Sequence, residues 1–100
     1  MKILAITACP TGIAHTYMAA EQLERTGKQL GHSIKVETQG AMGIENRLTE
    51  ADVLGADALI LASDVPVRDR ERFASIARIL EVPVQLAIKN PGEIFSRLQG

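Results

Sequence analysis

The chain opens with the stretch Lys2-Ile3-Leu4-Ala5-Ile6-Thr7-Ala8-Cys9-Pro10-Thr11-Gly12, which decides the fold. Its first part is a continuous apolar run, typical of a strand that is covered on both faces. Residues 13–30 then change period, with apolar residues at spacings of three and four along one stripe, before the helix stop at Gly31. The stretch therefore predicts a strand, a tight loop and a long amphipathic helix.

Length and composition set the class of protein. One hundred residues, 46% of them hydrophobic, make one domain over residues 1–100 with room for a real core. The net charge of −1 gives no reason to expect a nucleic-acid or membrane-surface binder. The apolar stretch after Lys2 is too short for a secretory or membrane segment. We therefore expect a cytoplasmic protein with no direct membrane insertion.

The rest of the chain continues the alternation of strands and helices. Alternating polarity over residues 34–38 predicts a strand with one wetter face, at the edge of the sheet. Apolar runs predict further strands over residues 58–62 and 82–87, and periodicity predicts a helix over residues 70–80. A capping-box pattern opens a short helix at Thr49, and Asn90-Pro91 begins a final helix that ends at Leu98.

Two segments between these elements are interpreted as surface. Residues 39–47 contain Gly40 and Gly43 and are predicted to form a loop. The charged run Arg68-Asp69-Arg70-Glu71-Arg72 is interpreted as a solvated helix entry, with a docking patch as the alternative.

This alternation predicts the α/β class: a single open, Rossmann-like sheet of four parallel strands with helices on both faces. The expected strand order is 2-1-3-4. Ligands of such sheets bind at the carboxyl ends of the strands, where the order reverses. That point brings together the Cys9 loop, Ser63 and Asp64, with Thr38 and Gln39 nearby.

The loop after Cys9 has the sequence features of an anion-binding site. A helix N-terminus offers unpaired N–H groups and a positive dipole end, which favour bound anions and the thiolate form of a cysteine. Pro10 fixes the backbone and Gly12 lets it turn sharply. The donors expected to converge on a phosphate are the backbone amides of Thr11, Gly12, Ile13, Ala14, His15 and Thr16. The side chains of Thr11, His15 and Thr16 are expected to help.

Several chemistries compete for such a cysteine. Cysteine-dependent phosphatases read C-x-x-x-x-x-R, and here His15 stands where the arginine would be. Thioredoxin-like redox chemistry needs a second cysteine, and a nucleotide P-loop needs Gly-Lys-Ser/Thr; this chain has neither. A phosphoryl carrier remains as the preferred hypothesis. Two alternatives stay open: a small phosphatase, and a regulatory binding domain whose phosphorylated state is recognised by another protein.

The residues also resemble a known family. The segment from Ala8 to Glu21, reading Ala-Cys-Pro-Thr-Gly-Ile-Ala-His-Thr-Tyr-Met-Ala-Ala-Glu, is similar to the phosphorylation-site signature of the fructose-family IIB component of the bacterial phosphoenolpyruvate-dependent sugar phosphotransferase system. The resemblance continues in Lys35-Val36-Glu37-Thr38-Gln39-Gly40, in Arg72-Phe73 and in Ala87-Ile88-Lys89-Asn90-Pro91. Residues 74–86 depart from the usual pattern, which suggests the hypothesis that they adjust the choice of partner.

The resemblance implies a function and partners. Cys9 would be the phosphocysteine, and the phosphohistidine of a phosphorylated IIA protein or domain would donate its phosphoryl group. The acceptor would be a sugar bound by the membrane-embedded IIC component. Gln39 and Asp64 are expected on the rim that partners touch. The resemblance implies no metal and no organic cofactor at this step.

Overall fold

The first strand forms the centre of the sheet. A computed structural model describes residues 1–9, 13–40 and 43–99. In it, strand β1 (Lys2–Ala8) pairs in parallel with β2 (Ser33–Gly40) on one side and with β4 (Ala58–Ser63) on the other. All of β1 beyond Lys2 is buried, as a strand covered on both faces must be.

The described part of the sheet has five strands in the order β3-β2-β1-β4-β5, where β3 is Gly43–Glu45 and β5 is Ile79–Val82. The predicted order 2-1-3 of the first three strands is confirmed as β2-β1-β4. A strand does occupy the fourth place, but this strand, β5, shares only Val82 with the one predicted over residues 82–87. The prediction of four strands, all parallel, is wrong because β3 lies within the predicted loop of residues 39–47 and pairs antiparallel with β2. A strand of three residues carries too little periodicity to be recognised. The added strand also means that β2 is not at the edge of the sheet.

Helices cover both faces of the sheet, as predicted. Helices α1 (Ile13–Gln29), α3 (Val84–Lys89) and α4 (Pro91–Gln99) contact one another on one face, over a core that includes Ile3, Ile60 and Phe95. The opposite face, with Leu4, Ile6 and Leu61, is covered by α2 (Glu50–Leu54) and a 3-10 helix (Arg70–Phe73). None of the helices in the described ranges is long and apolar enough to cross a membrane.

Apart from the predicted loop of residues 39–47, the elements predicted in the first two thirds of the chain and at its end are confirmed, with bounds that agree to within about two residues. The helix predicted over residues 13–30, the strand predicted over residues 58–62 and the final helix are all present. The capping box is present too. Thr49 Oγ1 accepts from the Asp52 amide at 3.2 Å, and the Asp52 carboxylate accepts from the Thr49 amide at 2.8 Å.

Two predictions between residues 70 and 87 are wrong. The segment predicted as a helix over residues 70–80 is a single 3-10 turn followed by the strand β5, and the strand predicted over residues 82–87 is mostly the helix α3. Short apolar runs do not distinguish a buried strand from a helix. Pro83 sets the boundary between the two elements, because it favours extended backbone at Val82 and itself precedes the first residue of α3.

Phe73 explains why the apolar stripe in this segment resembled a helix. Its side chain is fully buried against the second face of the sheet, together with Ile76, although no α-helix connects them. We expect Phe73→Ala to lower the free energy of unfolding by about 3–5 kcal/mol, because it leaves a cavity in this core. Urea denaturation measures the loss, with the exposed Ser75→Ala as a control; similar stability of both variants would contradict the packing role.

Candidate functional site

The carboxyl end of β1 opens into a pocket at the point where the strand order reverses. Cys9 follows β1 directly and is 8% exposed. The pocket has a volume of about 340 Å³. The described residues that line it are Ala8, Cys9, Gln39, Gly40, Val65, Pro66 and Arg68. The structure therefore brings Cys9 to the ends of β1 and β2 and to the loop after β4.

The predicted phosphate-binding residues are only partly described. Pro10, Thr11 and Gly12 lie outside the described residues, and Ile13 begins α1. Ala14 and His15 are exposed on the first turn of α1. The next residue, Thr16, is buried, and its carbonyl accepts a hydrogen bond of 3.0 Å from Thr7 Oγ1. This bond ties the start of α1 to β1 just before the cysteine.

The two predicted rim residues lie in different places. Gln39 is buried and lines the pocket beside Cys9. Asp64 is exposed but is not among the described lining residues. Its amide donates to the Ala8 carbonyl at 3.2 Å, and its carboxylate accepts from the amide of Val84, the first residue of α3, at 3.2 Å. These contacts connect the loop after β4 to β1 and to α3.

A buried ion pair lies behind the pocket. The Glu37 side chain is fully buried, and both of its carboxylate oxygens accept hydrogen bonds of 3.0 Å from the two terminal nitrogens of Arg72. The Leu48 amide also donates to Glu37, at 2.8 Å. This bidentate arrangement is the strong form of an arginine–carboxylate contact.

Gln39 connects this ion pair to the pocket. Its side-chain amide donates to Glu37 at 2.7 Å and to the Arg68 carbonyl at 3.2 Å. Its side-chain oxygen accepts from the Arg68 amide at 2.8 Å. Gln39 therefore holds both the N–H and the C=O of the residue that forms the far wall of the pocket.

The comparison with known proteins now identifies the family. Residues 4–97 match the sequence model of a family described as "PTS system, Lactose/Cellobiose specific IIB subunit". The chain belongs to the IIB family of the sugar phosphotransferase system. Its IIB relatives are phosphoryl-transfer domains in sugar uptake, so the chain is a phosphotransferase domain. This family membership favours phosphoryl transfer over the phosphatase and regulatory alternatives.

The individual relatives are named for fructose. The chain is 49% identical over 98 residues to the fructose-like EIIB component 2 of Escherichia coli K12, covering 98% of this chain and 92% of that protein. It is 50% identical to part of the fructose-specific EIIABC component of Bacillus subtilis, covering 96% of this chain but 15% of that protein. A solved domain of a fructose-specific IIABC component from Borrelia burgdorferi has a TM-score of 0.91 and 46% identity, covering 97% of this chain and 91% of that domain.

These relatives confirm the fructose-family resemblance seen in the sequence. They also show that IIB domains occur in one polypeptide with other components of the system, as the EIIABC name of the Bacillus protein states. Association with other phosphotransferase components is therefore a property of the family of this IIB chain.

Charge and hydrogen bonding set the ionisation of the buried carboxylate in this IIB domain. Burial by itself would raise the pKa of Glu37. The hydrogen bonds from Arg72, Gln39 and the Leu48 amide outweigh burial and hold the pKa below its ordinary value. Lys35, on the same strand as Glu37, donates to the Asp52 carboxylate of α2 at 2.7 Å. This contact is the largest cause that lowers the pKa of Asp52 to about 2.

Sequence reasoning missed Glu37, Arg72 and Arg68. The alternating pattern predicts that Glu37 lies on the wetter face of an edge strand, and the charged run predicts that both arginines are solvated. The ion pair joins residues that are 35 positions apart, so no local period reports it. The one available signal was that Glu37 and Arg72 both fall in segments that resemble the family.

The ion pair makes the stability of the domain depend on pH. Because the folded-state pKa of Glu37 lies below its ordinary value of 4.5, its pairing stabilises the fold fully above that pH and less as the pH falls through the folded-state pKa. We expect Glu37→Gln to cost about 3 kcal/mol near neutral pH, because it leaves the Arg72 guanidinium without its anion. The cost should shrink as the pH falls below 4.5 and through the lowered pKa of Glu37, because wild-type Glu37 then takes up a proton.

Unfolding free energies from urea titrations over this pH range test the prediction. Glu81→Gln is the matched control, because Glu81 pairs with Arg70 on the exposed surface and should matter little at any pH. A cost of Glu37→Gln that stays constant from neutral pH to the most acidic pH at which the wild type remains folded would contradict the assignment.

Proposed function

We propose that Cys9 accepts a phosphoryl group from the phosphohistidine of a IIA protein or domain and passes it to a sugar of the fructose class bound by the membrane component IIC. The observation that carries the proposal is the position of Cys9 in this fold, in a chain that belongs to a family of phosphoryl-transfer domains. It is the chain's one thiol, and it lies in a pocket at the carboxyl end of the central strand. Parallel α/β sheets bind their ligands at this place.

The transfer consists of two displacements at phosphorus. In the first, the Cys9 thiolate attacks the phosphoryl group, an S–P bond forms, and the P–N bond to the histidine breaks. The imidazole nitrogen that leaves takes up a proton. In the second, a sugar hydroxyl oxygen attacks the same phosphorus, the S–P bond breaks, and the thiolate is restored while the hydroxyl proton is released. Such reactions depend mainly on positioning and on charge stabilisation.

The N-terminal end of α1 supports the binding of the phosphoryl group. In the proposal, the backbone amides of the loop Thr11–Thr16 point at the phosphoryl oxygens, with help from the Thr11, His15 and Thr16 side chains. Pro10 and Gly12 shape the turn that makes this possible. A helix of seventeen residues beginning at Ile13 supplies a favourable dipole end beside the cysteine.

The proposal also assigns the partners their places. IIA and IIC approach the pocket in turn and touch the exposed Asp64 on its rim, while the buried Gln39, also predicted on this rim, lies behind it and holds the Arg68 backbone. The names of the relatives support fructose as the class of the sugar. We propose that the second transfer takes place at the cytoplasmic face of the membrane, through IIC.

Cys9→Ser tests the nucleophile. We expect this variant to gain no phosphoryl group, because a serine alkoxide is far less available at neutral pH than a cysteine thiolate. The measurement is intact mass after incubation with phosphoenolpyruvate, enzyme I, the phosphocarrier protein and a fructose-family IIA. The wild type should gain one phosphoryl mass and lose it again when IIC membranes and sugar are added.

Other outcomes of that experiment are equally informative. Full sugar phosphorylation by Cys9→Ser would refute the mechanism. Phosphorylation of the wild type that persists in the presence of IIC and sugar would favour a regulatory domain. Release of inorganic phosphate, with turnover of an aryl phosphate, would favour a phosphatase.

His15→Ala tests the loop side chain. His15 is exposed on the first turn of α1, where its ring can donate a hydrogen bond to a phosphoryl oxygen. We expect phosphorylation of Cys9 to slow about 10-fold, which corresponds to the loss of one hydrogen bond to a charged group. Rapid-quench kinetics with phosphorylated IIA provide the rate. A rate equal to that of the wild type would leave His15 without a part in the transfer.

A further inference from the structure

The charge that the cysteine loop lacks is present on another wall of the pocket. A phosphoryl group on Cys9 carries close to two negative charges, yet the loop has His15 where phosphatases place an arginine. The loop after β4 brings Arg68 into the lining of the same pocket. We propose that the Arg68 guanidinium binds the phosphoryl oxygens of phosphorylated Cys9. This inference rests on the proposed function.

Among the residues that the structure describes, the Arg68 side chain is distinguished from the other arginine side chains by its lack of a partner. In the described residues each of the other six guanidinium groups has one. Five make ion pairs: Arg25 with Glu21, Arg47 with Asp69, Arg70 with Glu81, Arg72 with Glu37 and Arg97 with Glu93. Arg78 donates to the Leu98 carbonyl. The Arg68 guanidinium makes no such contact with any described residue, so its donors are available to a ligand.

The backbone of Arg68 is held in position by hydrogen bonds, although its guanidinium has no partner among the described residues. Gln39 binds its N–H at 2.8 Å and its C=O at 3.2 Å, and Arg72 also donates to that C=O at 3.4 Å. Gln39 and Arg72 are in turn fixed by the buried Glu37 carboxylate. The base of the Arg68 side chain therefore has a defined place in the pocket wall, and the loss of its guanidinium leaves these contacts intact.

The chemistry of the group suits the ligand. No carboxylate is among the described residues that line the pocket, so a phosphoryl dianion would meet no like charge there. Guanidinium presents its donors in a planar fork that matches two phosphoryl oxygens at once. Arg72 cannot serve instead, because both of its terminal nitrogens bind Glu37.

The test compares Arg68→Ala with Arg68→Lys and with Arg70→Ala. Arg70 is the matched control, because it belongs to the same charged run but pairs with Glu81 away from the pocket. We expect Arg68→Ala to slow phosphorylation of Cys9 by phosphorylated IIA about 10- to 100-fold. Arg68→Lys should recover part of the rate, since it restores charge without the fork. Arg70→Ala should react as the wild type does.

A second measurement separates contact with the phosphoryl group from contact with the donor protein. Phosphorus NMR follows the titration of the phosphorylated Cys9 in the absence of IIA. A neighbouring cation favours the dianion, so the second pKa of the phosphoryl group should rise in Arg68→Ala and stay unchanged in Arg70→Ala.

The outcomes distinguish this inference from the function on which it rests. If the wild type gains no phosphoryl group, the proposed function fails and the role of Arg68 fails with it. If the wild type is phosphorylated and Arg68→Ala matches it in rate and titration, only the role of Arg68 is refuted. A rate change with an unchanged titration would also refute it, since Arg68 would then contact IIA rather than the phosphoryl group.

Discussion

The carboxylate of Glu37 is removed from water, and a charge in that position must be paired because its uncompensated burial costs several kcal/mol. The bidentate contact with Arg72 provides the pairing and joins the central part of the sheet to the 3-10 helix. The Leu48 amide and the Gln39 side chain donate further hydrogen bonds to the same carboxylate. The ion pair thus determines where the segment between β2 and α2, and the loop after β4, can lie.

The consequences of this pairing reach the pocket through a single side chain. Gln39 uses its amide nitrogen on Glu37 and on the Arg68 carbonyl, and its oxygen on the Arg68 amide. An amide side chain can do this because it carries donors and an acceptor at once. A structural ion pair and the wall of the Cys9 pocket therefore belong to one hydrogen-bond network.

A carrier and a hydrolase place different demands on the same fold. Both need a thiolate near backbone donors, but a carrier must release its phosphoryl group to a second protein and react slowly with water. In the proposed arrangement the cation comes from a separate loop and is exposed, rather than being built into the cysteine loop as in phosphatases. In that arrangement the contact would stabilise the phosphoryl group from outside the cysteine loop.

The sequence by itself determined the βαβ plan, the central strand, the order of the first three parallel strands and the place of Cys9, because these follow from hydrophobic period and from the handedness of crossovers. The tertiary structure alone decided β3, the exchange of strand and helix between residues 70 and 87, and the Glu37–Arg72–Gln39–Arg68 network. Short elements take their form from the strand beside them, and an ion pair between distant residues leaves no local pattern.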